Sequence, residues 1–399
     1  MAITPMSALR LRGKRVLIRQ DLNAPTAPGK SGEVAITSTQ RLDSALGGAR
    51  LAMDAGAKVM LMSHVGRPRE GGRDPALSLA PMAKYLGDKL GREVRLCDDY
   101  LQHPPQPADG EVVVLENVRF NRGERADDPD LAKSYAALCD IFVMDAFGAA
   151  HRKQASTHGV ALHAREACAG PLLLAEIDAL SKVMDAPRRP LVAIVGGAKV
   201  STKLSALKSL ASRADCLIPG GGIANTLLKA AGHAVGNSLI EPALLDVARE
   251  LLHENKTGTR ECTMALPEDV VVAKSISPEA KGEVKPLGAL ADDDIILDIG
   301  PASIARCQKL IASAGTVVWN GPLGMFELPA FAAGTESLGR AVAASSAFSV
   351  AGGGDTLAAA ERFGLGAQLS CISTGGGAFL EFLEGKTLPA LAALEARGH

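Results

Sequence analysis

Aromatic side chains are scarce in this sequence. They make up 3% of 399 residues, with one tryptophan and three tyrosines. Apolar residues nonetheless reach 47%, so the interior must be built from Ala, Val, Leu and Gly, a composition suited to helices packed on sheets. Excess charge is missing too. A net charge of −1 removes the broad electrostatic case for a nucleic-acid partner, and any anion site must be a local cluster. The seven cysteines (97, 139, 168, 216, 262, 307 and 371) are odd in number and widely spaced. No C-x-x-C pair occurs, which supports neither a disulfide framework nor a zinc site and predicts small buried thiols. Met1 to Arg15 holds no apolar signal core, and no run is long enough to span a bilayer. The expectation is a soluble cytoplasmic protein of a reducing compartment. With no heptad seam or long exposed apolar strand, a monomer is expected.

What the sequence does have is glycine in clusters, all in its second half: Gly196-Gly197, Gly220–Gly222, Gly352–Gly354 and Gly375–Gly377. Each follows a short apolar run and precedes a helix-like stretch. Glycine allows a sharp turn and close ligand approach. The helix start behind it offers free N–H groups and partial positive charge to an anion.

Apolar β-rich runs alternate with helical stretches from end to end. Strands are expected at 16–19, 58–62, 112–115 and 141–144, then at 191–195, 216–218, 270–272, 295–297, 317–319, 348–350 and around 371–373. Helices are expected at 40–55, 78–89, 131–137, 201–212 and 356–362. Apolar runs buried on both faces imply parallel sheets covered by helices. The expected fold class is α/β: two doubly wound Rossmann-like domains joined by a helical hinge. The length also favours two domains. A polar, helix-breaking segment, Asp185–Pro190, places the junction at 172–190. That gives a first domain at 1–171 and a second at 191–384.

In open α/β sheets ligands bind beyond the carboxyl ends of the strands. In the first half these ends carry Arg19, Asp21, Leu22 and Asn23, then His64, Val65, Gly66 and Arg67, then Asn117 and Arg119, then Asp145, His151 and Arg152. Arg41 opens the first crossover helix. One arginine after a strand is commonly just a solvated charge. Five arginines and a histidine near one sheet edge predict a small, highly anionic ligand, since the guanidinium fork suits phosphate and carboxylate. In the second half, Lys199 and Lys203 stand four apart behind Gly196-Gly197. On a helix they would share a face near its N-terminus, where a bound anion would relieve the conflict with the dipole. A pair of exposed helix lysines is the plainer reading, but Gly196-Gly197 directly after an apolar strand favours a phosphate. Gly352–Thr356 repeats the strand–glycine–helix setting. There Asp355 could hold Mg2+, or Asp355 and Thr356 could simply cap a helix. Glu327, after the turn Trp319–Gly324, could accept a ribose hydroxyl.

These segments resemble the phosphoglycerate kinase family. The resemblance rests on Arg19–Pro25, His64–Arg67, Glu116–Phe120, Asp145–Gly148, Gly197–Val200, Trp319–Pro322, Gly352–Thr356 and Ser373–Ala378, eight motifs in the family's order over almost the whole chain. It implies a phosphotransferase (EC 2.7.2.3) passing a phosphoryl group between 1,3-bisphosphoglycerate and Mg-ADP, giving 3-phosphoglycerate and ATP in glycolysis and gluconeogenesis. It implies a phosphoglycerate-binding first domain with Asp21, Leu22, Asn23, Arg41, His64, Val65, Gly66, Arg67, Arg119 and Arg152 on the ligand. It implies a nucleotide-binding second domain using Gly197, Lys203, Gly221, Asn320, Glu327, Gly353, Gly354, Asp355 and Thr356, with the metal at Asp355. Arg41, Lys199 and Gly375 would act on the phosphoryl group in flight. A C-terminal segment, about 385–399, would return to the first domain. Three positions depart from common family patterns: Thr202 stands for Asp, Cys371 for His, and Gln154 for a second histidine.

Two other readings remain open on sequence. A nicotinamide-dependent oxidoreductase would suit doubly wound domains, although no G-x-G-x-x-G follows any strand. A catalytically silent relative would act as a binding protein, although Lys199, Asp355 and the arginines are intact.

Overall fold

The computed structural model describes residues 3–28, 34–257 and 262–398. Met1 and His399, the ends of the segments expected in the first domain, lie outside them. The chain divides into two compact units. One runs to Ile177 and resumes at Thr387; the other is Asp178–Lys386.

In the first unit β1 (Arg15–Gln20) is followed by an antiparallel pair, β2 (Thr26–Pro28) and β3 (Val34–Ile36), and then by α1 (Gln40–Asp54). Then come β4 (Lys58–Met62), α2 (Ala80–Leu90), β5 (Arg95–Cys97), β6 (Val112–Leu115), α3 (Pro129–Ala137), β7 (Ile141–Asp145), α4 (Val160–His163), β8 (Glu166–Ala169) and the start of α5 (Pro171–Asp185). Six strands make one parallel sheet in the order β5-β6-β4-β1-β7-β8. The central strands are apolar without alternation because both faces are covered. Val16, Ile18, Val59, Leu61, Val114 and Val143 pack beneath Leu42, Leu46 and Leu86 of the crossover helices. Two of the helices start on aspartates. Asp128 accepts from the N–H groups of Asp130 and Leu131 ahead of α3. Asp145, the last residue of β7, accepts from Leu172 and Leu173 at 2.9 and 3.1 Å and so caps α5.

The second unit holds β9 (Leu191–Val195), α6 (Leu204–Ala211), β10 (Cys216–Pro219), α7 (Gly221–Ala230), α8 (Leu245–Thr257), β11 (Thr263–Met264), β12 (Asp269–Ala273), β13 (Glu283–Pro286), β14 (Ile295–Ile299), α9 (Pro301–Ala312), β15 (Thr316–Asn320), α10 (Ala333–Ala344), β16 (Phe348–Gly352), α11 (Gly354–Arg362), β17 (Cys371–Ser373) and α12 (Gly376–Leu383). Its main sheet is parallel, in the order β11-β10-β9-β15-β16-β17. The lone Trp319 is buried in the core beneath it.

Two expected parallel strands lie elsewhere. Val270–Val272 and Ile295–Leu297 belong to β12 and β14, which pair antiparallel in a separate three-stranded sheet with β13. The chain between them returns as β13 rather than as a crossover helix, and a parallel neighbour needs such a crossover.

After α12 the chain re-enters the first unit as α13 (Pro389–Glu395). Leu391 and Leu394 are buried, and Ala390 N–H donates to Ala150 C=O at 3.1 Å. Arg397 donates to the carbonyls of Ala164 and Arg165.

Candidate active site

At the carboxyl end of the first unit's sheet, side chains tie the strand-end loops to one another. Ser63, after β4, donates to Gln20 C=O at 2.7 Å and accepts from Leu22 N–H at 2.9 Å. Asn23, after β1, accepts from Gly66 N–H at 3.0 Å. Asn117, after β6, donates to the carbonyls of Val65 and Leu77 and accepts from Arg119 N–H. Asn117 is therefore a brace for the His64–Arg67 loop.

On this frame sit the cations. Arg41, in the first turn of α1, donates to Asn23 C=O at 3.0 Å and lies 3.5 Å from the buried Asp21 carboxylate. Arg119 is buried and donates to Gly66 C=O. Burial, with Arg152, Arg19 and Arg125 adding to it, lowers its pKa to about 10. Arg152 is lowered by burial and by Arg67 and Arg41, while Asp21 raises it. Arg119 and Arg152 thus both register neighbouring guanidinium groups, a local concentration of positive charge. The Nε atoms of Arg119 and Arg152 and the Nδ1 of His151 are buried with no partner among the described residues. Arg67 is exposed. Every cation that the sequence placed near this sheet edge belongs to the cluster.

Two residues that back the cluster, Glu124 and Ser156, carried no sequence signal. Glu124 falls in a hydrophilic run that reads as a surface loop, yet it is fully buried. It accepts from Ser156 Oγ at 2.5 Å and Ser156 N–H at 3.1 Å. Burial raises its pKa to about 7.

In the second unit the glycine corners meet at the carboxyl ends of β9, β15, β16 and β17. Lys203 Nζ donates to Gly196 C=O at 2.6 Å and Asn320 C=O at 3.1 Å, using two of its three hydrogens. Burial lowers its pKa to about 8, while Asp355 raises it. The expectation that Lys199 and Lys203 share a helix face is corrected here. The helix starts only at Leu204, and both lysines lie in the turns before it. Lys203 is the N-cap residue of that helix, and Lys199 lies four residues before it, outside the first turn. Lys203 turns inward, whereas Lys199 is exposed. Glu241 holds the intervening turn by accepting from Ser201 N–H and Oγ.

Asn320 donates to Gly352 C=O at 2.7 Å, and its Oδ1 is buried without a partner among the described residues. Thr356 is no helix cap. Its Oγ accepts from Gly321 N–H at 2.7 Å and donates to Gly352 C=O at 2.8 Å, joining β15 to the start of α11. The residue before α11 is Gly353, with φ +104. A Cβ there would stand 2.8 Å from Asn320 Nδ2, and one on Gly321 would stand 2.1 Å from Gly196 C=O. Only glycine fits either position. The glycine at 376 approaches Gly354 N–H closely enough that a Cβ on it would stand 3.7 Å away. The N-termini of α11 and α12 are therefore neighbours, with Gly375 the N-cap residue of the second helix, an arrangement that suits an anion. Asp355 and Glu327 are exposed. Gly197 and Gly221 frame the other side, where Ile223 N–H donates to Gly197 C=O.

Among the described residues no group of three or more His, Cys, Asp or Glu side chains could hold a metal ion. One exposed carboxylate, Asp355, stands at the double N-terminus. That donor set suits a hard cation already carried by phosphates, which needs one protein oxygen rather than a cage.

The phosphoglycerate kinase family model matches residues 6–386. The structure of phosphoglycerate kinase from Coxiella burnetii is similar at 49% identity and a TM-score of 0.92, over 100% of both chains. The enzyme from Pyrococcus horikoshii OT3 is similar at 28% identity and 0.84, over 99% of each. No helix among the described residues is long and apolar enough to cross a membrane. With two parallel α/β units, a cation cluster on one and glycine-lined helix starts on the other, the chain belongs to the phosphoglycerate kinase family.

Proposed function

We propose that this enzyme transfers a phosphoryl group reversibly and in line between 1,3-bisphosphoglycerate held by the first unit and Mg-ADP held by the second. The supporting observation is the crowd of guanidinium groups on one sheet edge, where burial and neighbouring arginines lower Arg119 and Arg152, and Arg41 and Arg67 stand among those neighbours. It suits a ligand bearing a carboxylate and one or two phosphates. Asp21 and Asn23 orient Arg41, and the main chain of Leu22, Val65 and Gly66 shapes the seat.

Both attacking groups are already anions, so neither a protein nucleophile nor a general base is needed. The protein must position two anions and neutralise the equatorial oxygens of the group in flight. Lys199, exposed in the turn before α6, and Arg41 suit that task, as does the helix start at Gly375. Lys203 and Asn320 hold the glycine loops open for the nucleotide phosphates. Gly353, Gly354 and Thr356 form the phosphate seat, and Gly197, Gly221 and Glu327 would line the nucleoside side. Mg2+ bound at Asp355 would neutralise nucleotide phosphate charge. Direct transfer requires the two ligands to meet and water to be excluded, and the segment 172–190 is the proposed hinge. We place the enzyme in the cytoplasm as a monomer. A coupled assay with 3-phosphoglycerate and ATP tests the reading. No turnover with Mg2+ present would refute it.

A further inference from the structure

Arg19 is the one arginine of the cluster that is fully buried. All of its hydrogen bonds run inward. Nε donates to Ser156 Oγ at 3.1 Å, Nη1 to Gln20 C=O, and Nη2 lies 2.9 Å from His64 Nδ1. A guanidinium can only donate. His64 Nδ1 must therefore accept, which leaves the ring proton on Nε2 and excludes the imidazolium, whose Nδ1–H would face another donor.

On its far side Arg19 is backed, through Ser156, by Glu124, a carboxyl group whose pKa burial raises to about 7. Ser156 Oγ donates to Glu124, Tyr135 donates to the same carboxyl group at 3.4 Å, and Asn121 donates to Tyr135 Oη and Tyr100 Oη. Arg19, His64, Glu124, Ser156, Tyr135 and Tyr100 are all buried. The charged groups facing His64 are Arg19 from β1, Arg119 after β6, Arg152 after β7 and Arg41 from α1, together with Asp21 beside Arg41. Burial is the main cause that depresses His64, and the four arginines add to it.

We propose that Arg19 is a positioning residue rather than a ligand contact. Backed by Glu124 through Ser156, it fixes His64 as the neutral Nε2–H tautomer, so the phosphoglycerate seat contains a hydrogen-bond donor without a titrating charge. This rests on the reading of His64 as a ligand of phosphoglycerate. It predicts that substrate affinity carries no histidine titration between about pH 5.5 and 8, where an ordinary histidine would switch.

The test is nitrogen NMR on the full-length, 15N-histidine-labelled protein. The wild type should show a pyridine-like Nδ1 and a pyrrole-like Nε2 for His64, unchanged across that range. A pyrrole-like Nδ1, or an imidazolium signal above about pH 6, would overturn the proposal. The paired variant Arg19→Met with Glu124→Gln removes the guanidinium and the carboxyl group that backs it together. If it folds, its His64 should sample both tautomers and titrate, and KM for 3-phosphoglycerate should rise about tenfold and become pH-dependent, more than kcat falls. Nitrogen shifts that stay at the wild-type values in the folded pair would also overturn it. Adding 3-phosphoglycerate is a separate arm. Nitrogens that fail to move would unseat His64 as a ligand and leave the tautomer assignment standing.

Discussion

Lys199 and Lys203 look alike in the sequence and differ in the fold. Lys199 is exposed and free to follow a moving charge, so Lys199→Ala should lower kcat by on the order of 10²–10³ while KM changes little. Steady-state kinetics decides this, and a change confined to KM would reject the transfer role. Lys203 is a brace. At the rim of the other unit, Arg67→Ala should weaken 3-phosphoglycerate binding about tenfold to hundredfold by calorimetry, and unchanged affinity would remove Arg67 from the seat. The residue types of the cation cluster were legible in the sequence because strand-end positions are counted off directly from apolar runs. Glu124 and Ser156 were not. Their burial depends on a loop folding back onto β1, and no local pattern encodes that.

At the scale of elements, strand and helix starts were read to within one to three residues wherever an apolar run was bounded by glycine, as at β9, β16 and α11. The antiparallel sheet of β12, β13 and β14 was misread because β13 is largely exposed and mixed in character, so nothing flagged its pairing. The capping of α5 by Asp145 carries a pH signature. Burial raises that carboxyl to about 6, above its ordinary value near 4. The folded state then holds its proton more tightly, so this group's contribution to stability is full below about pH 4 and is lost as pH rises through about 6. Asp145→Asn should flatten that part of the stability-versus-pH curve in denaturant titrations. Asp145→Ala should cost about 1–2 kcal/mol by leaving two helix N–H groups uncapped. An unaltered curve in the Asn variant would show that Asp145 does not titrate there.

The whole molecule carries almost no net charge, so its anion affinity is a matter of arrangement. A phosphoryl group that passes directly between ligands on two units predicts a smaller radius of gyration with both substrates than with either alone. Small-angle scattering measures this, and superimposable profiles would count against closure. The division of the chain also sets an order of events during synthesis. The first unit is interrupted, because its α13 is separated from the rest by the entire second unit. A ribosome therefore delivers every residue of the second unit before it delivers Leu391 and Leu394. Until then the surface around Ala150 and Ala164, which α13 covers, has no lid. The first unit begins folding first and finishes last. A premature stop just before Thr387 should leave the second unit protease-resistant while the first is digested, a polarity that pulse proteolysis of nascent chains would read out.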